Sequence, residues 1–125
     1  MKDEAAKWVR IAEGDLAAAS VLLERGDDYL LRHSVFHCHE AIEKILKAIW
    51  VESRGEEPER THNLPYLVEK LGIQLPAEDV EFVRDLYLQL IPSRYPHGQE
   101  IPRDEAARYL EEARRLFAWL RRMLK

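Results

Sequence analysis

The sequence predicts an all-α fold, an up-and-down antiparallel bundle of four long helices plus one short helix. Three observations predict it. Apolar residues recur at three- and four-residue intervals through most of the chain. No segment alternates polar and apolar residues long enough to make a strand. Gly, Pro and Asp gather at a few discrete breaks. The 125 residues suit one domain, 1–125, and a composition of 46% hydrophobic and 34% charged residues suits a globular chain with its own core.

The first helix, over 3–25, sets Ala5, Trp8, Ala12, Ala19, Leu22 and Leu23 on one face. Gly26 ends it, and Asp27 and Asp28 offer a cap to the next. The second helix carries Leu31, Val35, Cys38, Ile42, Ile45 and Ile49 at 4-3-4-3-4 spacing, one continuous stripe. "SRGEEPERT" breaks that pattern. A short helix near 64–71 follows, closed by Gly72, and a third long one near 77–90 is entered through Pro76. A proline-rich loop covers 91–103. The last helix starts at about 104, with Ala106, Leu110, Ala113, Phe117, Leu120 and Leu124 on its inner face.

Charge and cysteine usage exclude several function classes. A net charge of −4 argues against a protein held on nucleic acid by overall charge. Residues 1–30 carry four Lys and Arg against seven acids, while residues 103–125 carry seven Lys and Arg against four. Two complementary helices are the first explanation for that asymmetry. Cys38 is the single cysteine, so an internal disulfide and a Cys-rich zinc site are both excluded. It falls in the core stripe and reads as a small buried apolar residue. The charged, amphipathic start is neither a signal peptide nor a membrane span, so a cytoplasmic protein without membrane contact is expected. Abundant Arg, Glu and Leu, with Asn63 the one Asn, would suit a thermophile.

Nearly opposite the apolar stripe of the second helix lies a second row: His33, His37, Glu40, Lys44 and Lys47. Apolar residues flank it on both sides, so the helix is expected to be buried over most of its circumference. Glu40–Lys44 and Glu43–Lys47 have the favourable i,i+4 orientation, each such pair contributing about 0.2–0.5 kcal/mol on an exposed face. A metal set would use His33, His37 and Glu40, or His37 and His39. With no second helix offering Glu-x-x-His, no metal is expected. A seam where His and Lys meet a phosphate or a partner chain is the remaining functional alternative. Asp15 falls near the apolar face of the first helix and needs a cation, for which Lys44 or Lys47 would serve. His62, in "THNL", is expected to cap the short helix or pack over its start.

These pieces stand in a recognisable order. "DLAAASVLL", "VFHCHEAIEKILKAIW", "THNLPYLVEKL" and "SRYP" together resemble the HEPN domain family. The matching positions are Asp15 and Leu16; Phe36, Ala41, Glu43, Lys44, Lys47 and Ala48; Thr61, His62 and Leu64; and Arg94, Tyr95 and Pro96. The resemblance implies a small helical bundle that commonly forms a homodimer. It also implies pairing with a minimal nucleotidyltransferase in a two-component, toxin–antitoxin-like system. Nucleotide binding is implied too, with no other cofactor.

Many branches of the family are metal-independent ribonucleases with an Arg, four to six residues, then a His late in the fold. His would move a proton while Arg steadies the phosphate. Here Arg94 and His97 enclose only two residues, and Arg54 and His62 enclose seven. Arg32 and His37 enclose four but lie early in the second helix. The favoured reading is therefore a binding and interaction module using Lys44, Lys47, Arg94, Tyr95, His37 and Glu40, with Asp15, Glu43 and His62 as structural polar groups. The alternatives are a ribonuclease acting on RNA through His97 or His37 with Arg94 or Arg32, and a purely structural dimerising bundle.

Overall fold

The computed structural model describes residues 1–91 and 100–124. Its helices are α1 (Asp3–Arg25), α2 (Asp28–Arg54), α3 (Leu64–Lys70), α4 (Ala77–Leu88) and α5 (Arg103–Arg121). The described residues contain no strand, and the bounds expected for α1, α3 and α4 and for the start of α5 each fall within two residues of those observed. None of these helices is long and apolar enough to cross a membrane. The loop holding Arg94, Tyr95 and His97 lies outside the described residues.

Two glycines set the ends of the long helices. Gly26 (φ 73°) and Gly55 (φ 65°) both occupy the left-handed region, where a Cβ would clash with the following carbonyl. Their backbone N–H groups donate to Leu22 O at 3.0 Å and Val51 O at 2.9 Å, satisfying carbonyls that the helices leave open. Only Gly26 and Asp27 separate α1 from α2, so the two helices must fold back on each other. Asp15 meets His37, Ala19 meets Ser34 and Lys2 meets Glu52, the pairing of an antiparallel hairpin. At the Ser34 crossing the hydroxyl donates to Ala19 O at 2.7 Å.

The later helices continue the alternation of direction. Arg115 of α5 reaches Asp79 at the start of α4, while Tyr109 packs on Phe82, so α4 and α5 are antiparallel. Arg32 reaches Gln89 while His39 faces Tyr87, so α4 also runs against α2. The helices thus run up, down, up, down, and α2 and α5 lie parallel. The acidic α1 and basic α5 touch through Arg114 and Ser20 at 2.7 Å. Among the described residues no ion pair within 4.0 Å joins them. The α5 arginines turn elsewhere, Arg108 to Glu112 and Arg115 to Asp79.

The core is centred on α2. Its whole predicted stripe, Leu31 through Ile49, is buried, and so are Leu46, Ala48 and Trp50 on other faces. From Cys38 to Val51 every residue except Lys44 is buried. Cys38 sits inside this core, where burial pushes its thiol up to about 12 and keeps it protonated. Ile42→Ala, removing a fully buried side chain, is expected to cost about 2–5 kcal/mol. Val21→Ala, at a position 64% exposed, should change stability by less than about 0.5 kcal/mol. Urea unfolding of the two variants checks the contrast.

Candidate functional site

The stretch of α2 from Cys38 to Val51 is enclosed on nearly every side, yet it holds the polar residues His39, Glu40, Glu43 and Lys47. Helical spacing supplies the first partners. Lys44 Nζ donates to Glu40 Oε2 at 2.5 Å, and Lys47 Nζ donates to Glu43 Oε2 at 2.9 Å. Both i,i+4 pairs expected from the sequence are present. Burial changes their weight, because separating either pair now leaves a charge stranded away from water.

The remaining Glu43 oxygen is satisfied from outside the helix. His62 Nδ1 donates to Glu43 Oε1 at 2.9 Å, while the His62 carbonyl accepts from His39 Nε2 at 3.1 Å. Backbone and imidazole of one residue are thus both fastened to α2. Of the two expectations for His62, capping α3 is corrected, while its place as a structural polar group just before α3 stands. Asn63 is the cap, its side chain accepting from Tyr66 N at 3.0 Å, and His62 is turned away by the stronger attraction of a buried carboxylate. The exposed half of the His62 ring faces solvent, its side chain retaining 53% of its surface.

His39 is fully buried and gives up its charge to be there. Burial lowers its pKa to about 4, outweighing the pull of Glu43 and Glu40 toward protonation. The neutral ring carries its proton on Nε2 for the His62 carbonyl. Its Nδ1 has no partner and lies 3.9 Å from Glu43 Oε1.

Further up the hairpin, His37 Nδ1 donates to Asp15 Oδ1 at 2.8 Å. The sequence expectation of Lys44 or Lys47 for Asp15 is corrected here. In the antiparallel hairpin Asp15 lies level with His37, and both lysines point to the glutamates one turn before them. Arg32 is held by Gln89 and lies near Glu105 and Tyr109, and burial lowers its pKa. Arg32 and His37 therefore engage different neighbours, Gln89 and Asp15. His33 is exposed. The positions of Arg94, Tyr95 and His97 relative to this seam lie outside the described residues.

The arrangement most like a metal centre differs from both sets considered from sequence. His39, Glu40 and Glu43 can bring one ligand atom each within 4.8 Å of one another. The donor types fit a divalent ion, but the charges do not favour one. Two carboxylates already balance the ammonium groups of Lys44 and Lys47, and a divalent ion would add two uncompensated charges to a buried site unless a lysine left.

A groove of about 810 Å³ opens where the start of α1, the end of α2 and the segment 55–60 meet. Trp8 and Val51 belong to its apolar surface. Lys47 lines it as well, its Nζ 5.8 Å from the centroid of the Trp8 ring. Sequence reasoning missed this feature, because three separate stretches build it and no periodicity connects them. His39 was only half missed: its four-residue spacing to Glu43 is visible in the sequence, but its orphaned nitrogen is not.

The comparisons with known proteins agree with the all-helical fold. The HEPN domain profile matches residues 5–123. The chain belongs to the HEPN domain family. Among solved structures it is similar to TT1696 from Thermus thermophilus, with 26% identity, a TM-score of 0.81, and coverage of 98% of this chain and 100% of that one. It is also similar in fold to ST0689, described as an archaeal HEPN homologue, with 23% identity, a TM-score of 0.75 and full coverage of both chains. No curated protein matches.

Two outcomes are expected of the buried network. Because the His39 pKa is lower in the folded chain (about 4) than in the unfolded one (6.5), folding excludes a proton. The stability this residue allows is fully present above pH 6.5 and falls away as pH drops from 6.5 toward 4, by up to about 3 kcal/mol. Urea midpoints at pH 7, 6, 5 and 4 should therefore decline less steeply in His39→Gln, whose amide can still donate to the His62 carbonyl. Separately, Lys47→Met should destabilise the fold by about 3–5 kcal/mol by stranding Glu43, and Lys47→Met/Glu43→Met should recover much of that loss. Thermal melts of the single and double variants compare the two.

Proposed function

We propose that this HEPN protein is a binding and interaction module that acts by pairing with a second protein, a minimal nucleotidyltransferase, with nucleotide as an accompanying ligand. The observation that carries this reading is the division of its polar groups. Lys44 and Lys47, the obvious cations for a phosphate, already hold Glu40 and Glu43, whereas the groove beside Trp8 is left uncovered.

A phosphate arriving at the lysines would have to compete with carboxylates 2.5 and 2.9 Å away. Nucleotide affinity in the isolated protein is accordingly weak, and a partner chain supplies the further contacts. The same pairing speaks against the seam as a poised catalyst. A general acid or base works best with a pKa near the working pH, and burial moves His39 well below it.

Tagged protein isolated from its native cells is expected to bring down a nucleotidyltransferase in stoichiometric amount. Isothermal titration with ATP should give no binding below millimolar concentration for the protein alone and tighter binding for the pair. Recovery without any nucleotidyltransferase, combined with EDTA-resistant cleavage of RNA by the purified protein, would replace this reading with the ribonuclease one.

A further inference from the structure

The groove can be assigned an occupant from its chemistry. Its size, about 810 Å³, lies within the ordinary range of ligand clefts, so the chemistry of the lining has to select the occupant. Val51 is buried, Trp8 and Pro58 are half-buried and Ile11 is exposed, so the apolar surface runs from the interior out to solvent.

The charges around that surface are not evenly available. Lys7 is paired with Glu4 at 2.8 Å, and Lys47 with Glu43 at 2.9 Å. Lys2 commits its ammonium to the carbonyl end of α2, with Nζ 3.1 Å from Glu52 O and 3.5 Å from Val51 O. Asp3 sits in the first turn of α1, where the helix N-terminus offsets a negative charge. Glu56, Glu57 and Glu59 are exposed acids on the segment that borders the groove, against Arg60 as the one cation of that segment. Glu59 also accepts a hydrogen bond from the Tyr66 side chain, a neutral partner that leaves its charge in place.

The chain's own Lys2 shows which sign of charge this end of the groove holds. A helix C-terminus presents partial negative charge and open carbonyls, and an ammonium group is seated on them. Those carbonyls are filled by the chain itself, Val51 O also accepting from Gly55 N at 2.9 Å, and Lys47 already lies beside the Trp8 ring. A further guanidinium or ammonium group is therefore drawn to the carboxylates of Glu56, Glu57 and Glu59 at the groove's edge. A nucleotide, carrying its charge as phosphate, meets the opposite conditions.

We infer that the groove formed by Trp8, Val51 and Pro58 docks a basic amphipathic segment of a partner protein, its apolar side chains on the groove surface and its Lys or Arg side chains against Glu56, Glu57 and Glu59. This inference rests on the interaction-module reading and names the chemistry of the partner surface.

The test uses the whole protein and a fluorescein-labelled helical peptide of Leu, Lys and Arg about 16 residues long, followed by anisotropy. Binding is expected in the micromolar range, weakening several-fold between 50 and 300 mM salt. Glu56→Lys/Glu57→Lys, two exposed positions outside any helix, should weaken it at least tenfold with no change in the thermal melt. Trp8→Leu should weaken the peptide at all salt concentrations, reporting the apolar contact separately. Equal binding of a Leu–Glu peptide of the same length, displacement of the basic peptide by ATP, or unchanged affinity in the charge-reversed variant would overturn the inference. So would sedimentation showing that the groove is filled by a second copy, with a dimer that Glu56→Lys/Glu57→Lys dissociates. Co-purification of a nucleotidyltransferase is a separate readout, so loss of the peptide result leaves the pairing standing, and loss of the pairing leaves the peptide result standing.

Discussion

The Glu43 carboxylate, 1% exposed within the enclosed stretch of α2, is the constraint on which much of this structure depends. An ionised carboxylate away from water needs each oxygen occupied by a strong donor. Lys47 fills one oxygen and His62 the other. The first partner comes from α2 itself, but the second must be delivered by the chain after it leaves the helix. The position of the turn before α3 follows from that need. His39 adds a second tie to the same residue through its carbonyl, so the turn is fixed by two bonds of different kinds.

The same constraint shapes what the protein can offer a ligand. Lys44 and Lys47 look like phosphate binders on a helical wheel, but their ammonium groups are what keep two buried glutamates tolerable. Removing them to serve an anion would transfer the cost to the core. Polar residues that first suggest chemistry therefore hold the fold in register, as Asp15 and His37 do between α1 and α2. Under the binding-module proposal, contact with a partner would then fall on surfaces that the enclosed stretch of α2 leaves over, such as the groove beside Trp8.

Most of the fold was legible in the sequence because it depends on local periodicity. The stripe from Leu31 to Ile49, the stop at Gly26 and the entry through Pro76 each follow from spacing or backbone chemistry within a few residues. The Glu40–Lys44 and Glu43–Lys47 pairs were legible for the same reason. His62 with Glu43 was not, since 19 residues and a change of direction separate them and many polar residues could have served. Asp15 shows the limit well. Its need for a partner could be read from its place near an apolar face, but the partner's identity required the register of the hairpin, which Ser34 and Ala19 reveal only once packed. Family resemblance ordered the motifs correctly without saying which of their residues face one another.

Spacing also misleads where chemistry needs convergence. Arg32 and His37 enclose the number of residues found in the ribonuclease motif, but five positions along an α-helix rotate a side chain by about 140° from where it began. Arg32 accordingly reaches across to Gln89 at the end of α4, while His37 turns to Asp15 on α1. A proton-transfer group and its charge stabiliser must meet on one substrate, and α2 sends these two to different neighbours. A count of residues carries catalytic meaning only with the backbone geometry that brings the side chains together. Within one α-helix that geometry favours pairs at i,i+4, and in the enclosed stretch of α2 such pairs are the ion pairs Glu40–Lys44 and Glu43–Lys47.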